Sequence, residues 1–356
     1  MVDNALQYKC TECGGNVRFN VDSQKTVCDY CGKEFTEDYF EGVSENSSDE
    51  KINWKDHVVD RQFETIDNQC NFTCTSCGAE ILADMNTVAT ECVYCGSPVV
   101  LSNKVTGMLK PDLILPFRIK KNEVEAKLES FCKKKILLAK GFSEKSRISK
   151  VAGMYVPFWL FTTKGDGDMK FDAKKIRTWR RGDYKYTQTK YYDVYREGSL
   201  QFEKLPVDAS KKMKDCFMDK IEPYEYKDLK EFSLEYMAGY FADKFDVDVH
   251  ESEKRAYLRV KNTTEDEMKK TVTGYNVVSI NNSNIEMKNT KVQYALLPVW
   301  ILNAEFEGEK FEIVMNGQTG KIAAVLPVNK KRRAILFVTI LVLSYIVFAF
   351  IAYNLI

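Results

Sequence analysis

Eight of the eleven cysteines fall into two quartets with one spacing. Cys10 and Cys13 are followed by Cys28 and Cys31, and the same CxxC…CxxC interval returns at Cys74, Cys77, Cys92 and Cys95. Every knuckle ends in Cys-Gly or leads straight into it, at Gly14, Gly32, Gly78 and Gly96, where the lack of a Cβ lets backbone amides bend toward sulfur. Four thiolates so spaced can enclose one tetrahedral metal at about 2.3 Å for zinc. The expected cofactor is two Zn2+ ions, one per quartet; a rubredoxin-like iron site and paired disulfides are the alternatives. A complete set of four cysteines leaves no open coordination position, so the metals are expected to be structural. Cys70, Cys132 and Cys216 lack partners at ligand spacing and read as small buried hydrophobes; Cys70 lies near enough to Cys74 to compete as a ligand.

A different chemistry stands at the other end. From Ala334 to Ile356 no residue is charged, and a helix of that length spans roughly 35 Å against a hydrocarbon core of about 30 Å. Lys330, Lys331, Arg332 and Arg333 precede it, which favours a cytosolic start under the positive-inside bias and suits anionic headgroups. Residues 1–8 are polar and carry no apolar signal core. The expectation is a single-pass tail anchor in the cell membrane with the amino terminus and soluble part in the cytoplasm. A reducing compartment then disfavours disulfides and leaves metal as the better use of eight cysteines.

Other chemistry is weaker. With only two histidines, His57 and His250, in 356 residues, and no carboxylate pair standing out, general acid and base catalysis has no evident carrier, and no enzyme is expected. Gly317-Gln318-Thr319-Gly320-Lys321 lacks the glycine spacing and the hydroxyl residue of a phosphate loop, since Ile322 follows the lysine. Nucleic acid demands cations, yet between Cys70 and Asn103 there is no Lys, Arg or His. Lys174, Lys175, Arg177, Arg180 and Arg181 are interleaved with Trp179, Tyr184 and Tyr186 on a hairpin turning near Gly182-Asp183. That stripe suits membrane lipid headgroups or single-stranded nucleic acid, or is a solvated basic hairpin. Overall the balance is even, with 52 basic against 51 acidic residues.

These residues need a scaffold, and an apolar fraction of 44% with 12% aromatics can furnish a core. The fold class is α+β: two amino-terminal ribbons, a mixed helix and antiparallel-sheet domain, and one carboxy-terminal transmembrane helix. Residues 1–40 form ribbon one, with strands near Asn16–Val21 and Thr26–Val27. Residues 41–69 are an acidic linker with a short helix. Residues 70–102 form ribbon two, with strands at Glu80–Ala83 and Ala89–Glu91.

The inner domain covers 108–328, followed by the basic segment 329–333 and the span 334–356. A helix is expected at 121–140 from Val124, Leu128, Phe131, Cys132 and Leu138, and others near 213–221, 229–241 and 249–268. Val156-Pro157-Phe158-Trp159-Leu160 returns as Leu297-Pro298-Val299-Trp300-Ile301, suggesting a duplication with halves 108–208 and 209–328. The prolines predict edge strands or bulges, and Asn316-Gly317 with Thr319-Gly320 a hairpin turn.

The paired quartets, the Leu297–Trp300 strand, Asn316–Gly320 and the basic-plus-apolar tail together resemble a bacterial TFIIB-type zinc-ribbon family of the YdjG type, over essentially the whole chain. The resemblance implies a membrane-bound accessory protein that helps recruit envelope-stress proteins of the phage-shock and flotillin-like kinds. The replication label sometimes attached to that family finds no helicase motif here. The expected function is a tail-anchored adaptor for protein partners, with the ribbons as docking modules on an acidic flexible arm. The alternatives are a membrane-tethered nucleic-acid-binding protein and an enzyme in the α+β domain.

Overall fold

The computed structural model describes residues 8–10, 12–13, 16–35, 69–73, 80–84, 89–91, 98–104, 110–139, 141–142 and 148–355. The first quartet sits on a small antiparallel sheet of β1 (Tyr8–Lys9), β2 (Asn16–Asn20), β3 (Lys25–Cys28) and β4 (Glu34–Phe35), in that spatial order. Alternation turns Val17, Phe19, Thr26, Cys28 and Phe35 inward and leaves Arg18 and Lys25 in solvent.

A second sheet has twelve strands among the described residues. At one end lie β5 (Gln69–Thr73), β6 (Glu80–Asp84), β7 (Ala89–Glu91) and β8 (Pro98–Lys104). The remainder is built from two series with the same order. The first is β9 (Leu113–Ile114), α1 (Lys121–Lys133), β10 (Ile148–Arg181) and β11 (Tyr184–Asp208). After α2 (Asp215–Ile221) and β12 (Lys230–Glu231) come β13 (Phe241–Asp243), α3 (Val249–Lys270), β14 (Val277–Phe306) and β15 (Glu309–Asn316). β16 (Ile322–Ala324) and the apolar helix α4 (Lys330–Leu355) close the chain.

The two series are laced together. β10 and β14 pair antiparallel along most of their length, with Val156 opposite Leu297. Each short strand pairs parallel with the long strand of the other series: β9 with Ala295–Leu296, β13 with Met154–Tyr155. Both faces of the central pair are covered, so Met154–Phe161 and Tyr294–Leu302 are buried without interruption, as befits strands roofed on two sides. One face meets α2 through Phe217, Met218 and Ile221; the other meets α1 through Val124, Leu128 and Cys132.

Neither proline lies at an edge or a bulge, contrary to the expectation. On the outer side of β10, β13 stops at Tyr155 and β11 begins at Phe158; on β14, β9 stops at Leu296 and β15 begins at Val299. Pro157 and Pro298 occupy these gaps, where no strand asks for their missing N–H. Their carbonyls are used, accepting from the N–H of Ala209 (2.9 Å) and Gly317 (2.8 Å). Each tryptophan then donates its indole N–H just ahead of the other series' helix, Trp159 to the Val247 carbonyl (2.9 Å) and Trp300 to that of Ile119 (3.0 Å).

Two helix expectations are corrected. α1 ends at Lys133 rather than at residue 140, because Leu138 bridges to Val328 and the Ala139 N–H donates to the Pro327 carbonyl (3.0 Å), which requires extended backbone. Residues 229–241 form no α-helix. Phe232, Tyr236 and Tyr240 have helical spacing, but Tyr240 stacks on Phe117 with centroids 4.0 Å apart, Tyr236 meets Phe19 edge-on, and Gly239 takes φ +90°. Tertiary packing here overrides the periodic signal.

α3 crosses the sheet over a glycine lane. Its Asp248 cap accepts from the Glu251 N–H (2.7 Å), and Val249, Ser252, Ala256, Val260, Thr264 and Met268 form its buried stripe. A Cβ on Gly165 would lie 2.8 Å from Val260 Cγ1, and one on Gly167 2.6 Å from Met268 Cε. At Gly165 the stiff Val260 leaves no room for a Cβ, whereas at Gly167 the flexible end of Met268 would have to move aside.

Candidate functional site

Cys10 and Cys13 lie between β1 and β2, while Cys28 ends β3 and Cys31 follows in its turn, so two hairpin corners deliver four thiols to one point. All four sulfurs lie within 4.8 Å of one another; Cys10 to Cys31 is 3.6 Å and Cys13 to Cys28 is 3.5 Å. Sulfurs held tetrahedrally at zinc's bond length would stand about 3.8 Å apart. The donor set therefore fits such an ion. Cys10 and Cys28 are buried and Cys13 and Cys31 exposed. The Cys31 backbone N–H above all, helped by that of Tyr30 and by the Cys13 thiol, draws the Cys28 thiol down to about 6, so it is largely thiolate at neutral pH, the form a metal requires. Cys74, Cys77, Cys92 and Cys95 lie outside the described residues.

Ribbon one is not held out on a tether. Phe19 and Thr26 face inward onto residues 235–240: the Phe19 N–H donates to the Ala238 carbonyl (3.0 Å) and the Thr26 hydroxyl to that of Glu235 (3.2 Å). Gln24 reaches the Phe117 carbonyl at 3.2 Å, and Lys120 pairs with Asp22. β6 pairs with β13, Leu82 opposite Ala242 and Ile81 opposite Asp243. Both cysteine-bearing regions thus fasten on the segment 235–243. Of the acidic linker 41–69, residues 41–68 with the expected short helix lie outside the described residues.

The basic stripe forms the end of a long arm. β14 accompanies β10 only as far as Lys174, opposite Val277, and beyond that β10 and β11 continue as a two-stranded hairpin to the turn at Gly182-Asp183. Alternation splits the predicted cations between faces. Lys175, Arg177 and Arg181 share one face with Trp179, which stacks on Tyr186 at 5.7 Å and 13°. Lys174 and Arg180 lie on the other, with Lys174 over the Tyr191 ring at 5.3 Å. Tyr184 and Tyr191 are 72% and 73% exposed, an unusual display of aromatic surface. Tyr191, Lys185 and Lys190 are not part of the stripe's sequence pattern, and only strand register brings them opposite it.

Lys330, Lys331, Arg332 and Arg333 form the first turn of α4 rather than a segment before it. Asn329 Oδ1 accepts from the Arg332 N–H at 3.0 Å, capping the helix. α4 is long and apolar enough to cross a membrane and is unburied by the rest of the chain.

A charge cluster escaped the sequence altogether. Arg255 on α3 pairs with buried Asp208 and with Asp219 (2.6 Å) and Asp215 (3.2 Å), while Arg259 holds Glu222 (2.6 Å). Burial pushes the Asp208 carboxyl up to about 6 against the opposing pull of Arg255, and burial likewise raises Glu222 against Arg259. These pairs tie α2 and α3 to the end of β11. His250, on the first turn of α3, is exposed.

No family model matches the chain, and no solved structure matches it. Among curated proteins it is similar to "Uncharacterized protein YdjG" of Bacillus subtilis strain 168, at 32% identity over 336 residues that cover 93% of each chain.

Proposed function

Because this chain belongs to the family of Bacillus subtilis YdjG, whose name carries no activity, its own geometry has to supply the reading, and we propose that it is a membrane-anchored adaptor that presents a projecting β-arm to a protein partner. The observation that carries this is the continuation of β10 and β11 past the last pairing with β14, with aromatics and cations exposed on both faces. A strand of 34 residues, if straight, extends roughly 110 Å. The anchor joins the opposite end of that sheet, where Phe142 packs edge-on against Phe306 and Phe311 and Leu138 meets Val328. Such separation suits capture of an acidic partner away from the bilayer better than contact with headgroups. Partners of the phage-shock or flotillin-like kind fit the resemblance noted from the sequence.

In this reading α4 spans the cell membrane once, the soluble part faces the cytoplasm, and two zinc ions fold the ribbons, the second held by Cys74, Cys77, Cys92 and Cys95. The zinc supplies cohesion, not chemistry: units this small bury too little apolar surface alone. The matched order of elements around β10 and β14 is taken as a duplicated unit. Partner binding lies on the arm rather than on ribbon one, whose Phe19 and Thr26 already pack against residues 235–240.

Reversing Arg177, Arg180 and Arg181 to glutamate with Trp179→Ala, in the full membrane-bound chain, tests the proposal by affinity capture. Loss of specific protein partners is expected, and an unchanged partner set would refute it. The stacked Trp179–Tyr186 pair favours a second reading, single-stranded nucleic acid, revealed if salt-sensitive retention on an oligonucleotide disappears in that variant instead. Elemental analysis of protein purified under reduction should give two zinc ions per chain; iron, or one ion, contradicts the metal assignment.

A further inference from the structure

The loop after α1 lies against the root of α4. The Asn329 N–H donates to the Leu137 carbonyl at 2.8 Å, the Ala139 N–H to that of Pro327 at 3.0 Å, and Leu138 bridges to Val328. Arg332 Nη1 reaches the Ile136 carbonyl at 3.4 Å. Ile136 therefore stands within one arginine side chain of the turn that immediately precedes the apolar stretch. It is 79% exposed, and Val325, on the chain leading into α4, is 64% exposed. Lys133, Lys134 and Lys135, all exposed, directly precede it. Glu129 holds Lys133 at 2.9 Å, and Lys135 sits over the Phe131 ring at 4.5 Å.

A solvent-facing isoleucine next to three lysines has no evident use in a water-facing loop, whereas beside a membrane anchor it matches the composition of an interfacial foot. We infer that Lys133–Ile136 is a second membrane contact: the lysines meet anionic phosphate headgroups of the leaflet that α4 enters, and Ile136, with Val325, dips into the boundary between headgroups and acyl chains. The inference rests on α4 being membrane-embedded. Cations near an anionic surface each favour binding by about fivefold, and an apolar side chain gains by leaving water. Continuity of the loop with the helix root sets the depth of the foot, because hydrogen bonds hold residues 137 and 139 against residues 329 and 327, and Arg332 reaches the Ile136 carbonyl. The foot would also restrict how the domain tilts on its single anchor.

The test places an indole at the tip. The full-length Ile136→Trp chain is reconstituted into phosphatidylcholine vesicles with and without phosphatidylglycerol, using lipids brominated high or low on the acyl chain, and emission is read as the difference from the unsubstituted protein. Phe348→Trp, within α4, reports on the anchor. Position 136 is expected to be quenched more by shallow than by deep bromines, with phosphatidylglycerol increasing the effect and Lys133→Gln, Lys134→Gln and Lys135→Gln together reducing it several-fold. Amine acylation of these three lysines in the unsubstituted chain should also slow several-fold in anionic vesicles. Absence of quenching at 136 while 348 is quenched overturns the foot and leaves the anchor standing. Quenching at neither position overturns the anchor and the foot with it. Quenching indifferent to phosphatidylglycerol overturns the headgroup contact.

Discussion

The β9–β11 and β13–β15 series share a frame and differ at its margins. Both place a proline where one neighbouring strand gives way to another, and both bond an indole to the carbonyl ahead of the opposite helix. Beyond that frame, β11 runs 25 residues with the arm, whereas β15 runs 8 and folds back through buried Asn316 and Gln318. Even the outer edges differ: β12 closes β9, while β6, from the second cysteine-rich region, closes β13. What is common makes a core; what is unequal makes an arm on one side and the root of the apolar helix α4 on the other.

The comparison breaks first if the core depends on the ribbons. If zinc fills the first quartet as proposed, chelation under reducing conditions should unfold ribbon one, since structural zinc supplies about 10 kcal/mol or more to such units. Hydrogen exchange should then show the Phe19 amide deprotected while β10 and β14 stay protected. Next, Trp159→Ala and Trp300→Ala should each cost about 3–5 kcal/mol in urea unfolding, and a marked inequality would show that the matched bonds are not matched in energy. Arg255→Ala should cost about 3 kcal/mol, because it strands buried Asp208.

The same carboxyl sets a pH dependence. Its folded value of about 6 lies above the ordinary 3.8, so its contribution to stability is full below about pH 4 and is lost as pH rises through 6. Asp208→Asn should flatten that slope, which urea midpoints across the window will read. Smallest of all, Trp179→Ala or Arg177→Glu on the arm should leave stability within about 0.5 kcal/mol, so that any loss of partner binding there is a loss of contact.

Much of the frame was legible because it is written in spacing. The first quartet converges as CxxC pairs should, and the repeated Pro-x-Trp marks the two central strands. The arm was legible only as a stripe of cations, because a two-stranded hairpin exposed on both faces shows no apolar alternation from which its length could be read. The docking of ribbon one was hidden for another reason: Phe19 and Thr26 are ordinary strand residues until Tyr236 and the Glu235 carbonyl lie opposite them. The edge-strand expectation for Pro157 and Pro298 failed because a gap between successive partners removes the need for a donor as well as an open edge does.

The exchange of short strands has a further consequence. Since β9 lies along β14 and β13 along β10, neither series is complete without material from the other. A protease cutting near residue 211 would leave two fragments clasped like folded hands, and separating them would require dismantling the centre of the sheet.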